Sequence, residues 1–71
     1  MANQICANMT GNVWKILVKA GDAFSSGDEV AILESMKMEI PIVAEQSGTI
    51  EAILVKEGDA IEENAVILTY K

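Results

Sequence analysis

Apolar residues in this 71-residue chain come in short runs, and each run is soon broken by a turn signal. Glycines stand at positions 11, 21, 27, 48 and 58, close to the regular spacing of short antiparallel strands. Strands are expected near residues 4–7, 12–18, 23–25, 29–35, 38–43, 49–55, 60–62 and 66–70. No stretch long enough for a helix carries a helical period. The pattern predicts an all-β fold, a flattened eight-strand barrel or sandwich contained in a single domain, 1–71.

The pattern also repeats. Shifting the chain by 37 positions lays residues 5–33 on 42–70 without a gap, and ten of the 29 pairs are identical. They include Ile16-Leu17-Val18-Lys19 with Ile53-Leu54-Val55-Lys56, and Gly21-Asp22-Ala23 with Gly58-Asp59-Ala60. Two four-strand halves related by a pseudo-two-fold axis follow. In both halves the apolar spacing is irregular: Val13, Ile16 and Val18 are matched by Ile50, Ile53 and Val55. Steps of three and then two cannot share one face of an alternating strand, so a β-bulge is predicted near 14–15 and 51–52.

Turn chemistry agrees. Lys19-Ala20-Gly21-Asp22 and Lys56-Glu57-Gly58-Asp59 put glycine where a positive φ is needed and aspartate where it can bond back to turn amides. Ser25-Ser26-Gly27-Asp28 is matched by Glu62-Glu63-Asn64-Ala65, and asparagine is the natural replacement for glycine at a left-handed position.

Residues 34–41 alone lie between the halves, with Lys37-Met38 as their central pair. The chain must turn back near Met36-Lys37, which presents Lys37 to solvent at a hairpin tip, at the opposite end of the domain from the termini. Pro41 lacks an amide hydrogen and limits backbone pairing on one side of this connection. A lysine at such a tip is ordinarily a solubilising charge. Here Met36 and Met38 flank it, and methionine exposed on both sides suits an adaptable recognition surface. A lysine amine in water, with an ordinary pKa of about 10.4, is neutral in fewer than roughly one molecule in a thousand at pH 7. Any acylation of Lys37 therefore needs an external enzyme to supply an activated donor and take the proton. The chain reads as a substrate and carrier.

Composition narrows the classes. The net charge is −6, from eleven acids against five lysines, with no arginine and no histidine. Nucleic acid and anionic membrane surfaces are poor partners for such a chain, since both demand clustered cations. A small enzyme lacks its parts, because Ser35 has no base beside it and no histidine exists to supply one. Asp28-Glu29 and Glu62-Glu63 are solvated turn charges and not a metal cage. Cys6 is the only cysteine and aligns with Val43, where a small buried apolar residue is expected. Trp14 aligns with Glu51, which predicts a partly exposed indole on a strand surface. The N-terminus lacks the pattern of a signal peptide, and no apolar stretch approaches a membrane span, so a cytoplasmic monomer is expected.

The stretch Glu34-Ser35-Met36-Lys37-Met38-Glu39, with Gly27-Asp28 before it and Ala44-Glu45-Gln46-Ser47-Gly48-Thr49-Ile50 after it, closely resembles the biotinyl/lipoyl attachment domain family. The likeness runs from about residue 4 to 70. It implies a flattened eight-strand barrel with the modified lysine at a tight hairpin. Biotin carriers bracket that lysine as Met-Lys-Met, and Met36-Lys37-Met38 matches at all three positions. The resemblance implies biotin joined by an amide to Lys37 by a biotin protein ligase, carboxylated at a biotin carboxylase site and carried to a carboxyltransferase. With no linker or second domain in the sequence, docking on separate partner chains is expected. Met36 and Met38 become positions that the ligase reads or that carboxyl transfer needs.

Two departures stand out. Ala7-Asn8-Met9-Thr10-Gly11 keeps the alanine, methionine and glycine of the Ala-Pro-Met-Pro-Gly common in biotin carriers but neither proline, and the Ala/Pro-rich leader of many carriers is missing. Lipoyl domains share the fold and typically carry Asp-Lys-Ala, with glutamate three residues and serine or threonine two residues before the lysine. Glu34 and Ser35 satisfy the outer positions, while Met36 and Met38 depart from the inner ones. The inner pair lies nearest the amine, which favours biotin; lipoate on the same Lys37 from a lipoyl ligase, or both, is the alternative. An unmodified structural or interaction barrel would have no need of Met-Lys-Met at the joint.

Overall fold

The computed structural model describes residues 3–71. Its eight strands are β1 (Asn3–Cys6), β2 (Gly11–Ile16), β3 (Ala23–Phe24), β4 (Glu29–Ser35), β5 (Met38–Val43), β6 (Gly48–Ile53), β7 (Ala60–Ile61) and β8 (Val66–Tyr70). Two four-stranded antiparallel sheets form, in the orders β1-β8-β6-β3 and β5-β4-β2-β7. The edge strands β1 and β5 are not paired with each other; a groove of about 460 Å³ lined by both runs between the sheets. Of the two architectures expected, the domain is therefore the sandwich and not the closed barrel. It measures 32 × 19 × 17 Å.

The two-fold relation holds bond by bond. Val13 pairs with Leu33 as Ile50 pairs with Tyr70, and Gly11 pairs with Ile61 as Gly48 pairs with Phe24. The last two pairings show that the halves are interlocked. Each half lends its short strand, β3 or β7, to the sheet built on the other. The turns cross over as well: Gly21 N–H donates to the Ile50 carbonyl at 2.8 Å, and Gly58 N–H to that of Val13 at 2.8 Å. Neither half can bury its apolar face alone, so the core is one cluster drawn from both, centred on Val13, Val30, Leu33, Ile50, Ile67 and Leu68. Phe24 and Tyr70 meet edge to face across the halves, with ring centroids 5.0 Å apart.

Both expected bulges are present. The ladder skips Trp14 between β2 and β4, and Glu51 between β6 and β8. Trp14 and Lys15 thus both face outward while Val13 and Ile16 pack inward; the indole is 46% exposed. The turn aspartates bond as expected, with the Lys19, Ser25 and Lys56 amides donating to Asp22, Asp28 and Asp59 carboxylates at 2.9 Å each. Gly21, Gly27 and Gly58 have φ near +95°, and Asn64, which replaces Gly27 in the second half, has φ +72°.

One expectation is corrected. Cys6 is half-buried, not a core cysteine, and its counterpart Val43 is 44% exposed. A second pair of bulges accounts for both. The β4–β5 ladder skips Val30 and the β1–β8 ladder skips Ile67, which turns Val43 and Cys6 away from the core they would otherwise enter.

Candidate functional site

β4 and β5 run to the end of their sheet and are joined by the two residues Met36 and Lys37, closed by the Ser35–Met38 pair. Both have positive φ, +52° and +65°. Two left-handed residues between paired antiparallel strands make a type I′ turn, whose twist matches the strands it joins. Such turns favour asparagine and glycine, because a side chain with Cβ pays about 1–2 kcal/mol per residue in that conformation. Neither is used here. The turn position was legible in the sequence; its handedness was not, because no glycine or asparagine announced it.

Two further costs gather at the same tip. Met36 is 93% exposed and Met38 60%, with no apolar neighbour covering them. Glu34 and Glu39 are direct cross-strand partners, an arrangement of like charges that weakens a ladder. Neither carboxylate pairs with Lys37; among the described residues the one ion pair joins Lys71 to Glu51 at 3.6 Å. The Lys37 amine projects into solvent, free to react with something brought to it. Backbone strain, exposed methionine and opposed carboxylates persist where a surrounding structure enforces them, and they cluster at functional sites.

The base of the hairpin is closely packed. Gly11 on β2 lies beside the end of β4 in the same sheet: a Cβ added there would stand 2.7 Å from the Glu34 carbonyl oxygen and 3.4 Å from the Ser35 Cβ. The absence of a side chain at Gly11 is what lets β2 close on the base of the hairpin. Beside the hairpin, β7 forms the wall of a groove of about 540 Å³ that Glu34, Ser35 and Met36 also line. Sequence reading missed this neighbourhood, since nothing in the repeat tells which sheet a two-residue strand will join. Of the residues expected at the site, Glu34, Ser35, Met36, Lys37 and Met38 are all gathered at this one end of the β4–β5 hairpin. No group of His, Cys, Asp and Glu able to hold a metal ion occurs among the described residues.

A tight hairpin offering one lysine between two exposed methionines, on a two-fold sandwich, is the geometry of a cofactor attachment domain. The family described as biotin-requiring enzyme matches residues 2–70. The chain belongs to the biotin/lipoyl attachment family. This attachment domain is 56% identical over 64 residues to a biotin/lipoyl attachment protein of Bacillus subtilis, covering 90% of this chain and 88% of that one. It is 49% identical over 43 residues to a biotin carboxyl carrier protein of Streptococcus mutans, covering 61% of this chain and 33% of the carrier. The crystal structure of Kluyveromyces lactis urea carboxylase superposes with a TM-score of 0.91 at 34% identity, over all of this chain and 6% of the enzyme. The family model is named for biotin, and the relatives include a biotin carboxyl carrier, so the chain stands among biotin-linked carrier domains. The primary amine of Lys37, uncovered and unpaired, has the chemistry that an amide link to biotin's carboxyl group requires.

Proposed function

We propose that this attachment domain carries biotin on Lys37 and moves a carboxyl group between a biotin carboxylase and a carboxyltransferase. The observation that carries the reading is Lys37 at the second position of a left-handed turn, bracketed by exposed Met36 and Met38. A ligase delivers an activated acyl group to the Lys37 Nζ; a new N–C amide bond forms, the activating group leaves and the amine's proton passes to the ligase. Once linked, biotin supplies a ureido nitrogen that takes up and releases a carboxyl group. The protein's own residues do the rest. Met36 and Met38 give the ligase an apolar, deformable surface on either side of the amine. The β4–β5 ladder, closed by the Ser35–Met38 pair, and the close approach of Gly11 hold the base of the turn against its sheet. Acidic residues, Glu62 and Glu63 among them, favour partners with basic docking faces.

Lipoate on the same lysine is the second reading. Glu34 and Ser35, half-buried at the base of the turn, occupy the positions that lipoyl domains use, and the Bacillus subtilis relative is named for both cofactors. The test is intact mass after expression with biotin and a biotin ligase, and in parallel with lipoate and a lipoyl ligase. One biotinyl adduct is expected in the first, lost in Lys37→Ala with little change in the thermal transition, because an exposed tip adds little stability. Labelling that survives Lys37→Ala would overturn the assignment of the lysine. A lipoyl adduct without a biotinyl one would replace biotin by lipoate.

A further inference from the structure

The groove beside the hairpin opens immediately next to the attachment residue, since Met36 lines it and Lys37 follows Met36. Its lining divides by chemistry. Glu34 on β4 and Glu62 beyond β7 offer carboxylate acceptors, and neither is engaged in an ion pair among the described residues. Asn12 and Ser35 offer an amide and a hydroxyl donor, and Ile61 and Met36 offer apolar surface. The Glu62 side is held in place. The Glu63 amide donates to the Thr10 hydroxyl at 3.2 Å, and the Asn64 amide to the Ala7 carbonyl at 2.9 Å, which pins the turn after β7 to the segment before β2.

Biotin's bicyclic head has two N–H donors, one carbonyl acceptor and an apolar thioether ring. Those groups complement the groove's carboxylates, its amide and hydroxyl donors, and its apolar members in turn. We propose that this groove is a resting seat for the uncharged ureido head of biotin tethered to Lys37, occupied between visits to partner active sites. The inference rests on the reading of Lys37 as the biotinyl residue. Tethering makes a weak seat effective, because a head linked to the adjacent residue samples the groove at high local concentration. Hydrogen bonds at a half-open site exchange with water at small net gain, so the head rests without being trapped.

The experiment compares backbone amide spectra of three uniformly labelled proteins: unmodified, biotinylated on Lys37, and carrying acetyl-lysine at position 37. The acetyl form removes the lysine charge without adding a head group. Biotinylation is established first by intact mass. The biotinylated protein is expected to show shifts at Gly11, Asn12 and residues 60–62 that the acetyl form lacks. With Asn12→Ala and Glu62→Ala combined, both at exposed positions, the biotinylated and acetylated forms of that double variant are expected to coincide at those amides. A protein that acquires no biotin on Lys37 fails at the mass measurement and overturns the attachment reading. A biotinylated protein whose shifts are confined to residues 36–38, or whose groove shifts survive the double substitution, overturns the seat and leaves the attachment standing.

Discussion

The left-handed turn at Met36-Lys37 makes a quantitative prediction about what the site costs the fold. Met36 has φ +52° and a side chain 93% exposed, so replacing it forfeits almost no burial. Asparagine is enriched several-fold over other non-glycine residues in this conformation, and about three- to five-fold corresponds to roughly 0.6–1 kcal/mol. It avoids the extra unfolded-state entropy that glycine would bring. Met36→Asn is therefore expected to stabilise the domain by about 0.5–1 kcal/mol. For a domain of this size that raises the thermal midpoint by roughly 2–8 °C. Calorimetry or circular dichroism on the unmodified protein measures it directly. The ligase should respond in the opposite sense, because the substitution removes one of the two methionines beside the amine; kcat/KM for biotinylation is expected to fall while stability rises. An unchanged or lower midpoint would show that the turn is not strained at position 36, and that the left-handed pair is no reservoir of unfavourable energy.

Other substitutions test the platform and the flanks. Gly11→Ala places a Cβ 2.7 Å from a backbone oxygen that cannot move without opening β4, and is expected to lower stability by about 1–3 kcal/mol in denaturant unfolding and to slow biotinylation as well. Asp22→Ala and Asp59→Ala each remove one side-chain bond to a turn amide; matched losses of about 1 kcal/mol are expected from the two variants, and a marked inequality would deny their equivalence. Met36→Asp with Met38→Ala rebuilds the inner pattern of lipoyl domains beside Glu34 and Ser35. Biotinylation should fall and lipoylation rise by intact mass, and an unaltered ratio would mean that the ligases read the lysine's position in the fold.

Much of the architecture was legible because the repeat supplied two readings of each element. The three-then-two apolar spacing located both outer bulges, since Trp14 and Glu51 sit at equivalent steps in the two halves. Asn64 could be read as left-handed because Gly27 occupies the same place. The turn position at Met36-Lys37 was legible for a related reason, as part of the one segment between the repeats. What stayed hidden depends on partners distant in sequence. Val30-Ala31 and Ile67-Leu68 read as continuous buried strand, and adjacent apolar residues do not say which one the ladder skips, so the half-exposed Cys6 and Val43 were misplaced. Two-residue strands such as β3 and β7 carry no periodicity at all, and which sheet they join is decided by turn crossover bonds from the other half. The groove at the hairpin inherits that blindness, because β7 is one of its walls.

The pairing of β1 with β8 has a topological consequence. Asn3 faces Tyr70 in the same relation that Ile40 bears to Leu33, so the first and last strands lie as the two arms of a hairpin do. Counting along the repeat, a designed five-residue linker of serine, methionine, lysine, methionine and glutamate running from Lys71 directly to Asn3 would build such a hairpin's tip and close the strands into a ring. Such a ring has no privileged opening: a chain cut at Ser25-Ser26 or Glu62-Glu63 would still traverse the same eight strands. It would also own two lysine-bearing tips related by the domain's axis. A single biotin on a cyclised protein would then mean that the ligase depends on residues the axis does not repeat, such as Glu34, whose counterpart is Lys71.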